Sequence, residues 1–138
     1  MQTMNLKALD KDIQELIKRR SELLTINYNN PKYDELEEKL HDGEDAFQEK
    51  YGEFLEEVLQ DIHDEHCPDS EVLMPIAYLA KKYLISKKGE YTVDAKEGVF
   101  VETEKYPGLD TKLVILPNPI RIVLNISKDN QQVVWEGN

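Results

Sequence analysis

Two apolar stripes run through the first half of the chain. Leu6, Leu9, Ile13, Leu16, Arg20 and Leu23 follow at alternating steps of three and four, widened by Ile17 and Leu24. Such spacing keeps side chains on one face of a helix and makes a hairpin or coiled-coil seam. Thr3 or Asn5 suits the cap at its start. The polar segment Asn27-Tyr28-Asn29-Asn30-Pro31 is turn chemistry and ends it.

A second helix is expected to open at Pro31 and run from Tyr33 to His66, where Pro68 disfavours helix at Cys67. Its stripe is Leu36, Leu40, Phe47, Phe54, Val58 and Ile62, filled out by Tyr51, Leu55 and Leu59. The pattern favours one continuous or kinked helix, with a break at His41-Asp42-Gly43-Glu44 as the alternative. The first helix spans ~30 Å and the second ~50 Å. A short helix cannot cover the whole stripe of a longer one. The excess, centred on Phe54, Val58 and Ile62, must therefore bury itself against the second half or another copy of the chain.

Periodicity changes after Ser70. Pro75 suits a first helical position, with Ile76, Leu79, Ala80 and Tyr83 on one face and Lys87-Lys88-Gly89 closing the segment. Five strands are then expected, at Tyr91–Asp94, Val99–Thr103, Lys112–Leu116, Ile120–Ile126 and Gln131–Glu136. In the fourth, Ile120, Ile122, Leu124 and Ile126 alternate with Arg121, Val123 and Asn125, the signature of one buried face. Leu113 to Leu116 is apolar on both faces, hence central. Short links favour an antiparallel meander, and Pro117-Asn118-Pro119 marks a corner. Helices first and strands afterwards mean α+β: an acidic hairpin over residues 1–67, and a short helix with a sheet over 68–138, packed as one unit.

Charge sharpens this division. Of the 138 residues, 17 are Lys or Arg and 28 are Asp or Glu, a formal net charge of −11. Through Ser70 there are 8 basic and 19 acidic residues, and beyond it 9 of each. The whole acidic excess belongs to the hairpin. This argues against nucleic acid as the main partner and against an anionic membrane surface. No apolar run approaches the ~20 residues of a membrane span. The first residues lack the pattern of a signal peptide, and one cysteine, Cys67, forms no internal disulfide. A cytoplasmic, soluble protein is the expectation.

Motifs that carry chemistry are few. The six glycines are isolated, so no phosphate loop is present, and no Gly-x-Ser-x-Gly elbow occurs. His63, His66 and Cys67 share helical spacing and offer imidazole and thiolate to zinc or iron. The competing reading places the two histidines beside the core at a helix C-terminus, where the dipole favours them. Glu38-x-x-His41 has di-metal spacing but lacks inward acids on the first helix. A Cys67–His66 nucleophile pair fails because adjacent helical residues diverge. Tyr28 and Tyr33 flank the hairpin tip, as contact residues or as a staple between helix ends. Arg20 on the first seam is either a register device or a snorkelling cation.

In its order of elements the chain is similar to the bacterial transcript-cleavage factors, in which a helical hairpin precedes a small β domain. That family's tip carries acids into the polymerase channel. The tip here, Asn27 to Pro31, carries none, and membership does not follow. The expected function is therefore that of a non-catalytic interaction protein or self-associating scaffold, a homo-oligomer with a dimer favoured. Phe54, Val58 and Ile62 would be its contact residues, joined by Tyr28 and Tyr33. Two alternatives stand beside it: a metal-binding protein or metal-dependent enzyme using His63, His66 and Cys67, and an acidic inhibitor or immunity protein covering a basic protein partner.

Overall fold

The computed structural model describes residues 4–137. Helix α1 is Leu6–Thr25 and α2 is Tyr33–His66. A single 3-10 turn follows at Pro75–Tyr78. The strands are β1 (Leu84–Ile85), β2 (Tyr91–Thr92), β3 (Val99–Phe100), β4 (Lys112–Leu116), β5 (Arg121–Ser127) and β6 (Asn130–Glu136). The class is α+β. One antiparallel sheet has the order β3-β4-β5-β6, and β1 and β2 form a separate two-stranded ribbon.

Asn5 caps α1, its side-chain oxygen accepting the Ala8 N–H at 3.1 Å; the other candidate, Thr3, lies outside the described residues. Helix α2 runs unbroken through Gly43. Glycine there serves close packing: a Cβ would sit 3.3 Å from Leu16 Cδ2 and 2.9 Å from Arg19 Nη1. Arg19 crosses the same gap and donates to the Lys39 carbonyl. The helix axis therefore stays intact where propensity alone suggests a break.

The second half departs from expectation in three places. The short helix stops at Tyr78, because Leu79 is drawn into a parallel bridge with Ile115 and the Glu97 carboxylate accepts the Lys81 and Lys82 N–H groups. The chain emerges extended, so Leu84–Ile85 becomes a strand and Tyr91–Thr92 pairs with it rather than with the main sheet. Six strands in two sheets replace five in one. The third departure is that β5 is buried on both faces: Val123 and Asn125 are as hidden as Ile122 and Leu124. The segment after β2 lies over the Val123 side. Asn125 Nδ2 donates to the Glu97 carbonyl at 2.9 Å, Gln131 Nε2 to Val93, and Arg121 Nη2 to Tyr91. Polar side chains that read as solvent-facing instead satisfy the backbone of an irregular cover.

Corner Pro117-Asn118-Pro119 is fixed from three sides. Asn118 has φ 60°, which asparagine tolerates better than most residues. Its N–H donates to Asp10 of α1, its Nδ2 to the Gly89 carbonyl, and Arg121 Nη1 donates to the carbonyls of Pro117 and Pro119. Burial holds the Arg121 guanidinium below its ordinary pKa, opposed by Glu136 and Asp10.

The other β5 face meets α2. Trp135 lies opposite Ile122 in the ladder and packs edge-on against Phe54, ring centroids 6.2 Å apart. Leu55, Leu59 and Ile62 are buried there, while Phe54 and Val58 are half-buried against the core. Of the two covers open to the excess stripe of α2, the fold uses its own second half. Buried residues of hairpin and sheet belong to one apolar cluster.

Candidate interaction surface

Since the sheet occupies one side of α2, the other side faces water. Glu35, Glu38, Asp42, Asp45, Glu49, Glu53 and Glu56 are all exposed and follow at helical steps of three and four. They form one acidic line about 32 Å long. Among the acids of α2, only Glu37 and Glu44 are half-buried. Glu44 is held by Arg20 at 3.0 Å across the hairpin, so Arg20 fixes register at the seam. The two lysines of α2 do little to neutralise the line. Lys39 pairs with Glu35 at 3.4 Å, while Lys50 reaches across to Asp12 at 3.6 Å and lies over the Tyr51 ring. Lys50 is held above its usual pKa by Tyr51 and Asp12.

This line works against the helix that carries it. Each like-charge pair at i,i+3 or i,i+4 costs about 0.2–0.5 kcal/mol in an exposed helix at low salt. Asp61, Asp64 and Glu65 crowd the C-terminal end, where the helix dipole disfavours anions.

The proposed metal cluster does not converge. His63 is buried, with both ring nitrogens in use. The Ser70 carbonyl can only accept, so Nδ1–H donates to it at 2.9 Å. Nε2 then accepts from the Tyr78 hydroxyl at 3.0 Å, and that hydroxyl accepts the Leu73 N–H. Neither nitrogen is free for an ion. Cys67 is wholly buried, and burial pushes its thiol up to about 11, away from the thiolate a metal or a nucleophile needs. His66 is half-buried, with Nε2 3.8 Å from a Glu65 carboxylate oxygen. No three His, Cys, Asp or Glu side chains among the described residues approach closely enough to hold an ion. Glu38 and His41 are both exposed.

Of the two readings given to Tyr28 and Tyr33, the geometry bears on the staple. Their rings meet edge-to-face at 5.5 Å, which staples the tip, and Tyr28 is 78% exposed. Sequence reasoning missed the cross-chain anchors Asp10, Arg19, Tyr83 and Arg121. Tyr83 accepts the Ala80 N–H and donates to the Ile115 carbonyl at 2.6 Å, and burial raises its pKa. Only the lone Arg121 inside an apolar strand gave a signal, as a charge that a buried strand must pair.

No helix among the described residues is long and apolar enough to cross a membrane. Compared with protein families, characterised proteins and solved structures, the chain matches none.

Proposed function

We propose that this protein acts by docking rather than by catalysis, and that the outer face of α2 receives a basic protein partner. The observation that carries the reading is the acidic line from Glu35 to Glu56 on an unbroken helix. Solubility does not require acids stacked at i,i+4, where they repel, and the same charges raise the encounter rate with a cationic surface. An inhibitor or immunity-type role, in which the acidic face shields a basic site, is the narrower form of this reading. Self-association gains less from the fold. The ridge at Phe54, Val58 and Ile62 is mostly covered by the sheet, and two copies with a net charge of −11 each repel.

The test compares the full chain with the variant Glu38→Gln, Asp45→Gln, Glu49→Gln, Glu56→Gln as baits in extract of the source cells. The reading expects one recurrent basic protein, retained by the native chain at about 50 mM salt and released by about 300 mM, where screening is far stronger. The variant is expected to lose it. Equal retention by the variant, or retention that ignores salt, refutes the reading.

A further inference from the structure

The sheet covers the far half of the hairpin and leaves the half nearest the tip only partly roofed. Leu24 there is 71% exposed and Leu23 is half-buried. Between α1, α2 and the 3-10 turn lies a cleft of about 440 Å³, walled by Leu23, Leu24, Leu40 and Ile76. Its ionisable lining residues are Arg20 and Lys81, both cations, although the chain carries an excess of 11 negative charges. The Arg20 guanidinium gives Nη2 to Glu44. Lys81 is exposed, and its ammonium makes no ion pair among the described residues.

We infer that this cleft binds a medium-chain aliphatic carboxylate, with the hydrocarbon among the leucines and the carboxylate on Lys81. The volume lies within the ~300–1,000 Å³ of small-molecule pockets, and an apolar wall with a few convergent polar groups is their usual construction. A partner helix needs anchors over two or more turns, whereas the α1 lining runs only from Arg20 to Leu24. Arg20 is already paired with Glu44, so the unpaired Lys81 ammonium is what selects an anion. This site lies apart from the acidic line and does not depend on the docking reading.

Decanoate, octanoate and decylamine, each below its aggregation concentration, are titrated into the isotope-labelled full chain and followed by amide NMR shifts. Decanoate is expected to saturate, with shifts centred on Leu23, Leu24, Leu40 and Ile76. Each methylene removed weakens binding about fourfold, the equivalent of ~0.8 kcal/mol, so octanoate binds about 15-fold more weakly. Decylamine is expected to bind at least about tenfold more weakly than decanoate, from loss of charge complementarity. Lys81→Glu and Leu24→Asp alter exposed side chains and leave the fold intact, which the spectra themselves report; each weakens decanoate at least about fivefold. Shifts centred elsewhere, parity between decanoate and decylamine, absence of saturation, or unchanged affinity in both variants overturns the inference.

Discussion

At the scale of single residues, the buried polar groups are structural, and their partners say so. His63 links α2 to the connection that follows it, through Ser70 on one side and Tyr78 on the other. Replacing it by Phe keeps an aromatic ring but leaves the Ser70 carbonyl and the Tyr78 hydroxyl proton unpaired. His63→Phe is expected to lower stability by about 2–3 kcal/mol in urea unfolding; a loss under ~0.5 kcal/mol contradicts the network. Cys67 is expected to resist thiol reagents in the native state and to react on unfolding. Its thiol rises from 9.0 to about 11 in the fold. The unfolded chain releases that proton first, so this contribution is intact below pH 9 and is lost as pH climbs toward 11. Tyr51, Tyr78 and Tyr83 shift the same way, chiefly through burial. Stability measured by urea unfolding should fall over that window, and Cys67→Ala should flatten part of the fall. A rise with pH contradicts the assignment. The sequence made the closeness of His63, His66 and Cys67 legible but not their directions. A shared helical face does not show that the chain folds back, placing Tyr78 and Ser70 on the ring before any ion arrives.

Elements were legible where one period dominates. Stripes of α1 and α2 gave both helices, and the apolar run Leu113–Leu116 gave the central strand. Between Pro75 and Phe100 the helical turn at Pro75 and strands at Tyr91 and Val99 were legible, but the end of the turn at Tyr78, the strand Leu84–Ile85 and its pairing with β2 were not, because they are set by distant groups: Glu97 on the backbone of Lys81 and Lys82, and Ile115 beside Leu79. Alternation in β5 misled for the same reason, since its polar side chains bind a cover from elsewhere in the chain. Gly98 shows how tight that cover is. It has φ +114°, and a Cβ would lie 2.5 Å from the Leu113 carbonyl oxygen. Gly98→Ala is expected to cost about 2–3 kcal/mol in chemical unfolding, from backbone strain alone, and more with the collision. A neutral result would mean that the loop packs differently. For α2 the prediction has the opposite sign. Neutralising Glu38, Asp45, Glu49 and Glu56 to Gln should raise the melting temperature by a few degrees at low salt, as relief of about 1 kcal/mol of repulsion requires. The gain should vanish at high salt. No gain at low salt would remove the argument that the acids are kept at a cost to the helix.

Across the whole molecule, the long helix divides two environments. Its inner side completes a core with the sheet, and its outer side projects charge. Stripe lengths announced that the second helix owns more apolar surface than the first can shield, and left open what covers it. Sequence alone could not decide, because a sheet of the same chain and a second copy satisfy the same stripe. The fold answers with Trp135 and β5, while Leu24 and Tyr28 stay exposed near the hairpin tip. The proposed docking role requires that the chain close its own core and stay a single copy in solution. Light scattering of the purified chain, over a wide concentration range at low and moderate salt, tests this most directly. A mass near the 16.1 kDa of one chain is expected throughout. A stable species of twice that mass, returned to one chain by Phe54→Asp or Val58→Asp, would contradict it.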